Sequence, residues 1–190
     1  MTTVALFGGS FDPPHVAHVL AATYLLSAGP VDAVYVLPTY RHPFGKQSVA
    51  FEHRVAMCRR AFGFLPERQV DCDQSRVEQD VQGATIDVVR ELQRREPGTQ
   101  FRIVMGTDLL DDREKWKEWP ELQRLAPPLV LRRPGFHVAP AFEPLALPLE
   151  LPDISSTHLR HLLRTGQGTA GLLPRQVAAY IAEHRLYVGE

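Results

Sequence analysis

The chain is poor in the features that mark several large protein classes. It has two cysteines, Cys58 and Cys72, too few for a disulfide framework, so a reducing, cytoplasmic setting is expected. No apolar run approaches the length of a membrane span, and no signal-peptide pattern precedes the first apolar segment. The formal net charge of −1 argues against a general nucleic-acid surface, while leaving local basic clusters free to hold phosphates. No internal repeat is visible. With 190 residues and 44% hydrophobic content, the chain suits one α/β enzyme domain and falls short of two typical ones.

What is present begins at Val4. Val4 to Phe7 form a continuous apolar run, as a parallel strand covered on both faces requires. Gly8 and Gly9 follow, where the backbone can turn sharply and a ligand can approach closely. Ser10 adds a hydroxyl. Asp12 is the expected N-cap, Pro13 and Pro14 suit a first helical turn, and a helix is predicted from about His15. The free N–H groups at its start make an anion site. His15 and His18 lie three apart, so on a helix they share a face and both imidazoles can donate to one phosphate group. The loop is not a Walker loop, because no Gly-Lys-Ser/Thr follows, nor a dinucleotide fingerprint, because the third glycine and the distal acid are missing. A zinc site built on the two histidines lacks a regularly spaced third ligand.

Further along, strands and helices alternate as in a doubly wound sheet. Strands are predicted at Ala33 to Leu37, Val70 to Cys72, Phe101 to Met105 and Leu129 to Leu131, and helices at Phe51 to Phe64 and Ala84 to Arg95. Seven prolines between Pro127 and Pro152 favour edge strand and loop. Two helices, from about Ser155 and Pro174, finish the chain, and Thr39 to Ser48 reads as a loop over the site. Ser155 can cap its helix while Ser156 and Thr157 present hydroxyls and Arg160 lies one turn on; the alternative is an ordinary cap with a solvated arginine. Gly106 and Asp108 follow a strand, at the sheet edge where open α/β folds bind ligands, with Asp108 reading equally as a sugar acceptor or a helix cap. Lys46 and Arg133 offer positive charge to a phosphate, or are simply solvated.

Taken together, Gly8-Gly9-Ser10-Phe11-Asp12-Pro13-Pro14-His15, Met105-Gly106-Thr107-Asp108 with Lys115-Trp116, Arg132-Arg133-Pro134-Gly135-Phe136, Ile154 to Arg160 and Leu173 to Tyr187 resemble the HxGH nucleotidyltransferase superfamily. Within it they are most similar to the nicotinate-nucleotide adenylyltransferase family, over nearly the whole chain. The resemblance implies a Rossmann-like doubly wound parallel sheet of the nucleotidyltransferase type over residues 1–190, whose helices from about residue 155 complete an ATP site. It implies adenylyl transfer from ATP, with Mg²⁺, to nicotinate mononucleotide (NaMN), giving deamido-NAD and pyrophosphate, with no metal held by protein ligands.

On that resemblance His15 and His18 are the catalytic donors, and Gly8, Gly9, Ser10, Phe11, Gly106, Asp108, Ser155, Ser156, Thr157 and Arg160 surround ATP. Trp116 would stack on the pyridine ring, unless it is a core aromatic, with backbone N–H groups near Thr85 receiving the carboxylate and Lys46 and Arg133 near the phosphates. Both substrates are small molecules, no nucleic-acid or membrane partner is expected, and a homo-oligomer stays open. Three positions depart from the family pattern. Ala17 stands between the histidines in place of glycine and would narrow the space beside the α-phosphate; the loop carrying Lys46 is Arg41-His42-Pro43-Phe44-Gly45-Lys46; and Gly83-Ala84-Thr85 lacks the usual aromatic hydroxyl. The rivals are adenylation of NMN or phosphopantetheine on the same scaffold, and a nucleotide-binding sensor without catalysis.

Overall fold

The computed structural model describes residues 1–40, 48–66, 69–72, 76–81 and 84–188. Lys46 and Gly83 lie outside them, as does most of the Thr39 to Ser48 loop. Strand β1 (Thr3–Gly9) leads into helix α1 (Val16–Ala28), followed by β2 (Ala33–Pro38), α2 (Phe51–Phe62), β3 (Val70–Asp71), α3 (Arg76–Val81) and α4 (Thr85–Arg95). The second half runs β4 (Gln100–Gly106), α5 (Trp119–Leu125), β5 (Leu129–Arg132), β6 (Ala146–Glu150), α6 (Ser156–Arg164) and α7 (Arg175–Glu183), with short 3₁₀ turns at Thr107–Leu109, Arg113–Lys115 and Pro140–Leu145.

The strands form one sheet in the order β3-β2-β1-β4-β5-β6, every pair parallel. Its apolar strands are continuous because both faces are covered. Ala5 and Phe7 of β1 point into a cluster with Ala21, Leu25, Met57, Leu159 and Val177, from helices α1, α2, α6 and α7. Val4 and Leu6, alternating with them, point into a second cluster with Ile86, Val89, Leu92 and Leu122 from α4 and α5. Fully burying a side chain such as Leu25 contributes about 1.5–3 kcal/mol.

In this order the chain leaves β1 toward one edge strand and later returns through β4 toward the other. The connections after β1 and β4 therefore part company, opening a crevice at the carboxyl ends of the strands. The starts of α1 and α6 and the turn after β4 all belong to that edge, since each follows a strand in a parallel sheet. None of the helices among the described residues is long and apolar enough to cross a membrane.

Some details differ from the sequence expectations. Helix α2 stops at Phe62, with Gly63 after it, rather than reaching Phe64. The proline-rich stretch contains the edge strand β6, whose register against β5 shifts between Val130 and Arg132. Asp12 does not cap α1: the N-cap is His15, and Pro13 and Pro14 precede the helix, with a cis Asp12–Pro13 peptide. Asp12 is instead buried, at 2% exposure, because Tyr187 and Val49 donate to its carboxylate.

Candidate active site

The two histidines come together at the start of α1. Their rings stack with centroids 3.7 Å apart, and the backbone N–H of His15 donates to Nδ1 of His18 at 3.1 Å. With Nδ1 occupied as acceptor, the neutral His18 ring carries its proton on Nε2. The other side of His18 rests on Phe11, with centroids 4.8 Å apart. His15 is buried at 2% exposure, and its Nδ1 is the one buried side-chain polar atom without a hydrogen-bond partner among the described residues. Burial first, and Arg133 second, push the His15 imidazole down to about 3. His18 is lowered in the same direction by desolvation, by His15 and by Arg133. Both rings are therefore neutral near pH 7.

These imidazoles face a cleft of about 210 Å³ whose walls also include Ser10, Asp108, Arg133 and Ser155 through Thr157 with Arg160. On the α6 side Ser155 caps the helix, its Oγ accepting the His158 N–H at 3.2 Å. Ser156 Oγ donates to the carbonyl of Pro13 at 2.9 Å, and Arg160 Nη1 donates to the carbonyl of Asp12 at 2.7 Å. Arg160 Nη2 also donates to Thr157 Oγ1 at 3.2 Å. Residues about 145 positions apart in sequence are thus sewn into one wall, and Arg160 is not a freely solvated arginine.

On the β4 side the chain has little room. A Cβ on Gly106 would lie 2.2 Å from Asp108 Oδ1 and 3.0 Å from Arg133 Cδ, so only glycine admits both side chains where they stand. A Cβ on Gly8 would meet nothing within 4 Å, which leaves the end of β1 open to a close approach. Asp108 is not a helix cap; it sits in the 3₁₀ turn beginning at Thr107, with Arg133 Nε at 3.7 Å. Arg133 is held by its own N–H to Thr107 Oγ1 at 2.9 Å and by Nη2 to the Ile154 carbonyl at 3.3 Å. That places it beside the histidines and Arg160 rather than in bulk water.

Not every expected site residue lines this cleft. The Phe11 ring is buried at 1% exposure against Phe7, Phe62 and His18, so it supports the His18 ring and presents no side chain to a ligand. Gly9 lies against that ring, its would-be Cβ 3.3 Å from Phe11 Cε2. Ala17 is also buried, at 1%, in the core cluster, and is not among the residues that line the cleft. Thr85 and Trp116 are not among the cleft walls; they lie where α4 begins. There Lys117 pairs with Asp87 at 3.0 Å and Arg90 with Glu118 at 2.7 Å, tying the Trp116 segment to α4. Trp116 is half-buried, its ring edge-on to Trp119 at 6.2 Å, so one part packs and another stays accessible.

Two supporting residues escaped sequence reading. Arg54, 2% exposed, donates through Nη1 to the carbonyls of Ser10 at 3.0 Å and Thr39 at 2.8 Å, and through Nε to Val49 at 3.1 Å. It lies on the buried face of α2 with Phe51, Val55 and Cys58, and a charge in an apolar stripe was the available signal. Tyr187, whose hydroxyl reaches Asp12 Oδ1 at 2.6 Å, carried no such signal.

A parallel sheet with a donor-lined crevice at its switch point is the layout of an α/β protein that binds an anionic ligand at the carboxyl edge of its strands. Residues 6–162 match the Cytidylyltransferase-like family, and the chain belongs to it, within the nicotinate-nucleotide adenylyltransferases. It is 41% identical to the Myxococcus xanthus protein named probable nicotinate-nucleotide adenylyltransferase, over 97% of this chain and 94% of that one. It is 30% identical to the nicotinate-nucleotide adenylyltransferase of Bacillus subtilis, over 98% and 99%. Among solved structures, Plasmodium falciparum nicotinic acid mononucleotide adenylyltransferase complexed with NaAD shares the fold with a TM-score of 0.83 at 19% identity, over 98% of both chains.

Proposed function

We propose that the protein transfers the adenylyl group of ATP to nicotinate mononucleotide, releasing pyrophosphate and forming deamido-NAD. The observation that carries the site assignment is the stacked histidine pair, with a buried, unpartnered Nδ1 on His15 and a proton directed to Nε2 on His18, beside Arg133 and Arg160. A mononucleotide phosphate oxygen attacks the α-phosphorus in line, the bond to the bridging oxygen breaks, and pyrophosphate leaves; no protein nucleophile is required. His15 and His18 then serve as donors to the transferring phosphate, where preorganised groups count most. Ser155 to Thr157, the α6 N-terminus and Arg160 receive the leaving phosphates.

The donor set also bears on a divalent ion. The described residues contain no group of three or more His, Cys, Asp or Glu placed to hold one, and the cleft is dominated by N–H and O–H donors and two arginines. These residues fit Mg²⁺ arriving on the triphosphate oxygens with its own waters, where it supplies charge shielding. On the acceptor side, Thr85 and Trp116, which do not line this cleft, are assigned to the pyridine carboxylate and ring, and Lys46 to the mononucleotide phosphate. Arg133, standing beside the histidines, is reassigned to the phosphates at the reacting centre.

The test is pyrophosphate release from ATP and Mg²⁺ with NaMN, NMN or phosphopantetheine supplied separately. A preference for NaMN is expected. Release with another acceptor moves the substrate while keeping the chemistry, and metabolite binding without release would establish a sensor.

A further inference from the structure

The loop that delivers His15 to the cleft is held on one side by groups that do not line the cleft. Tyr187, from the last turn of the described chain, donates its hydroxyl to Asp12 Oδ1 at 2.6 Å across 175 residues of sequence, both side chains buried. The same oxygen accepts the Val49 N–H at 3.4 Å. From the opposite side Arg160 donates to the Asp12 carbonyl at 2.7 Å, and its Nη1 stands 3.8 Å from Asp12 Oδ2. Asp12 therefore lies between a buried phenol and a cleft arginine, three residues before His15.

Backbone strain marks Tyr187 and the residue before Asp12. Phe11 has φ 47° and Tyr187 has φ 59°, left-handed conformations that bulky residues adopt only when their surroundings over-determine them. Burial first, and the Asp12 acceptor next, push the Tyr187 phenol far above its ordinary range, so it remains a donor at any working pH.

We infer that Tyr187 is a positioning residue for adenylyl transfer: by holding one oxygen of Asp12 it keeps the carboxylate from closing on Arg160 and fixes the loop that places His15. The inference rests on the adenylyl-transfer reading above. Without the phenol's hydrogen, the Asp12 carboxylate is free to turn to the guanidinium and draw it away from the phosphates. The acceptor mononucleotide, bound near Thr85 and Trp116, is untouched by that movement. The signature is therefore a loss in kcat with the KM for NaMN preserved.

Tyr187→Phe keeps the buried ring and removes only the hydroxyl. In steady-state pyrophosphate release, kcat is expected to fall about tenfold, the loss of one charge-assisted hydrogen bond felt at the reacting centre, with the KM for NaMN within about twofold. Asp12→Ala removes the acceptor, so the double variant should be no slower than Asp12→Ala alone. Ile181→Val, a core change in the same apolar cluster, should lower the unfolding temperature while keeping kcat. A Tyr187→Phe kcat within twofold of the unsubstituted chain overturns the inference. So do multiplicative losses in the double variant, or an equal kcat loss in Ile181→Val. No pyrophosphate release from the unsubstituted chain overturns the adenylyl-transfer reading, and this inference with it.

Discussion

His15 and His18 are joined twice, by rings stacked at 3.7 Å and by the His15 N–H donating to His18 Nδ1 at 3.1 Å. Each imidazole thereby fixes the other: His18 caps the amide of His15, and that amide sets the His18 tautomer. Four consequences for the site and its scaffold can be measured.

His18→Ala should lower kcat by about 10²–10³, as removal of one transition-state donor does elsewhere. Circular dichroism should show the fold intact, since the ring lies over a core already closed by Phe7 and Phe11. A near-normal rate in pyrophosphate release would remove His18 from the catalytic set.

Stability should fall on mild acidification. The folded pKa of His15 is pushed down to about 3, and that of His18 is also well below the unfolded value near 6.5. Above pH 6.5 neither state binds these protons and stability is full. Between about 6.5 and 3 the unfolded chain protonates His15 and the folded chain does not, so stability is lost as pH falls, by up to about 1.4 kcal/mol per pH unit for that residue, and His18 adds a loss in the same direction below 6.5. Urea unfolding between pH 7.5 and 5, above the main carboxylate range, should show this slope. A His15→Gln, His18→Asn double variant should flatten it.

Gly106→Ala should separate binding from folding. Its Cβ collides with the far end of Asp108 and with the Arg133 stem, both able to swing into the cleft, so thermal stability should change little. The displaced pair should raise the KM for ATP about tenfold, equivalent to about 1.4 kcal/mol. An unchanged KM would show that neither side chain needs its present position.

Two further changes should lower stability. Ser155→Ala removes the acceptor for the His158 N–H and should cost about 1 kcal/mol, or roughly 2–4 °C in a chain of this size. Ala17→Gly restores the glycine of the family pattern but should destabilise by about 1 kcal/mol through helix propensity alone, with substrate KM values unchanged. A changed KM for ATP in Ala17→Gly would mean that the methyl does reach the cleft.

Much of this protein was legible locally. The apolar run at Val4 to Phe7, the glycine pair after it, the histidine spacing and the Ser155 cap are short-range patterns, and each has a physical reading that needs no other part of the chain. Asp12 was misread because local rules favour an acid before two prolines as a helix cap. A buried tyrosine hydroxyl 175 positions away outcompeted that role. Phe11 and Ala17 were placed beside the ligand because the loop passes it, whereas the side chain of each turns into the core.

The sequence by itself determined the parallel α/β character, the carboxyl-edge location of the glycine and serine motifs, and the chemistry of the donor residues. These follow from residue type and spacing over one or two turns of chain. Only the tertiary structure decided that Arg133 stands with the histidines, that Arg54 ties together the carbonyls of Ser10, Thr39 and Val49, and that Tyr187 and Arg160 grip Asp12 from opposite sides. Those contacts join segments far apart in sequence. They form because a folded interior must satisfy each buried polar group with whichever partner the sheet order brings beside it.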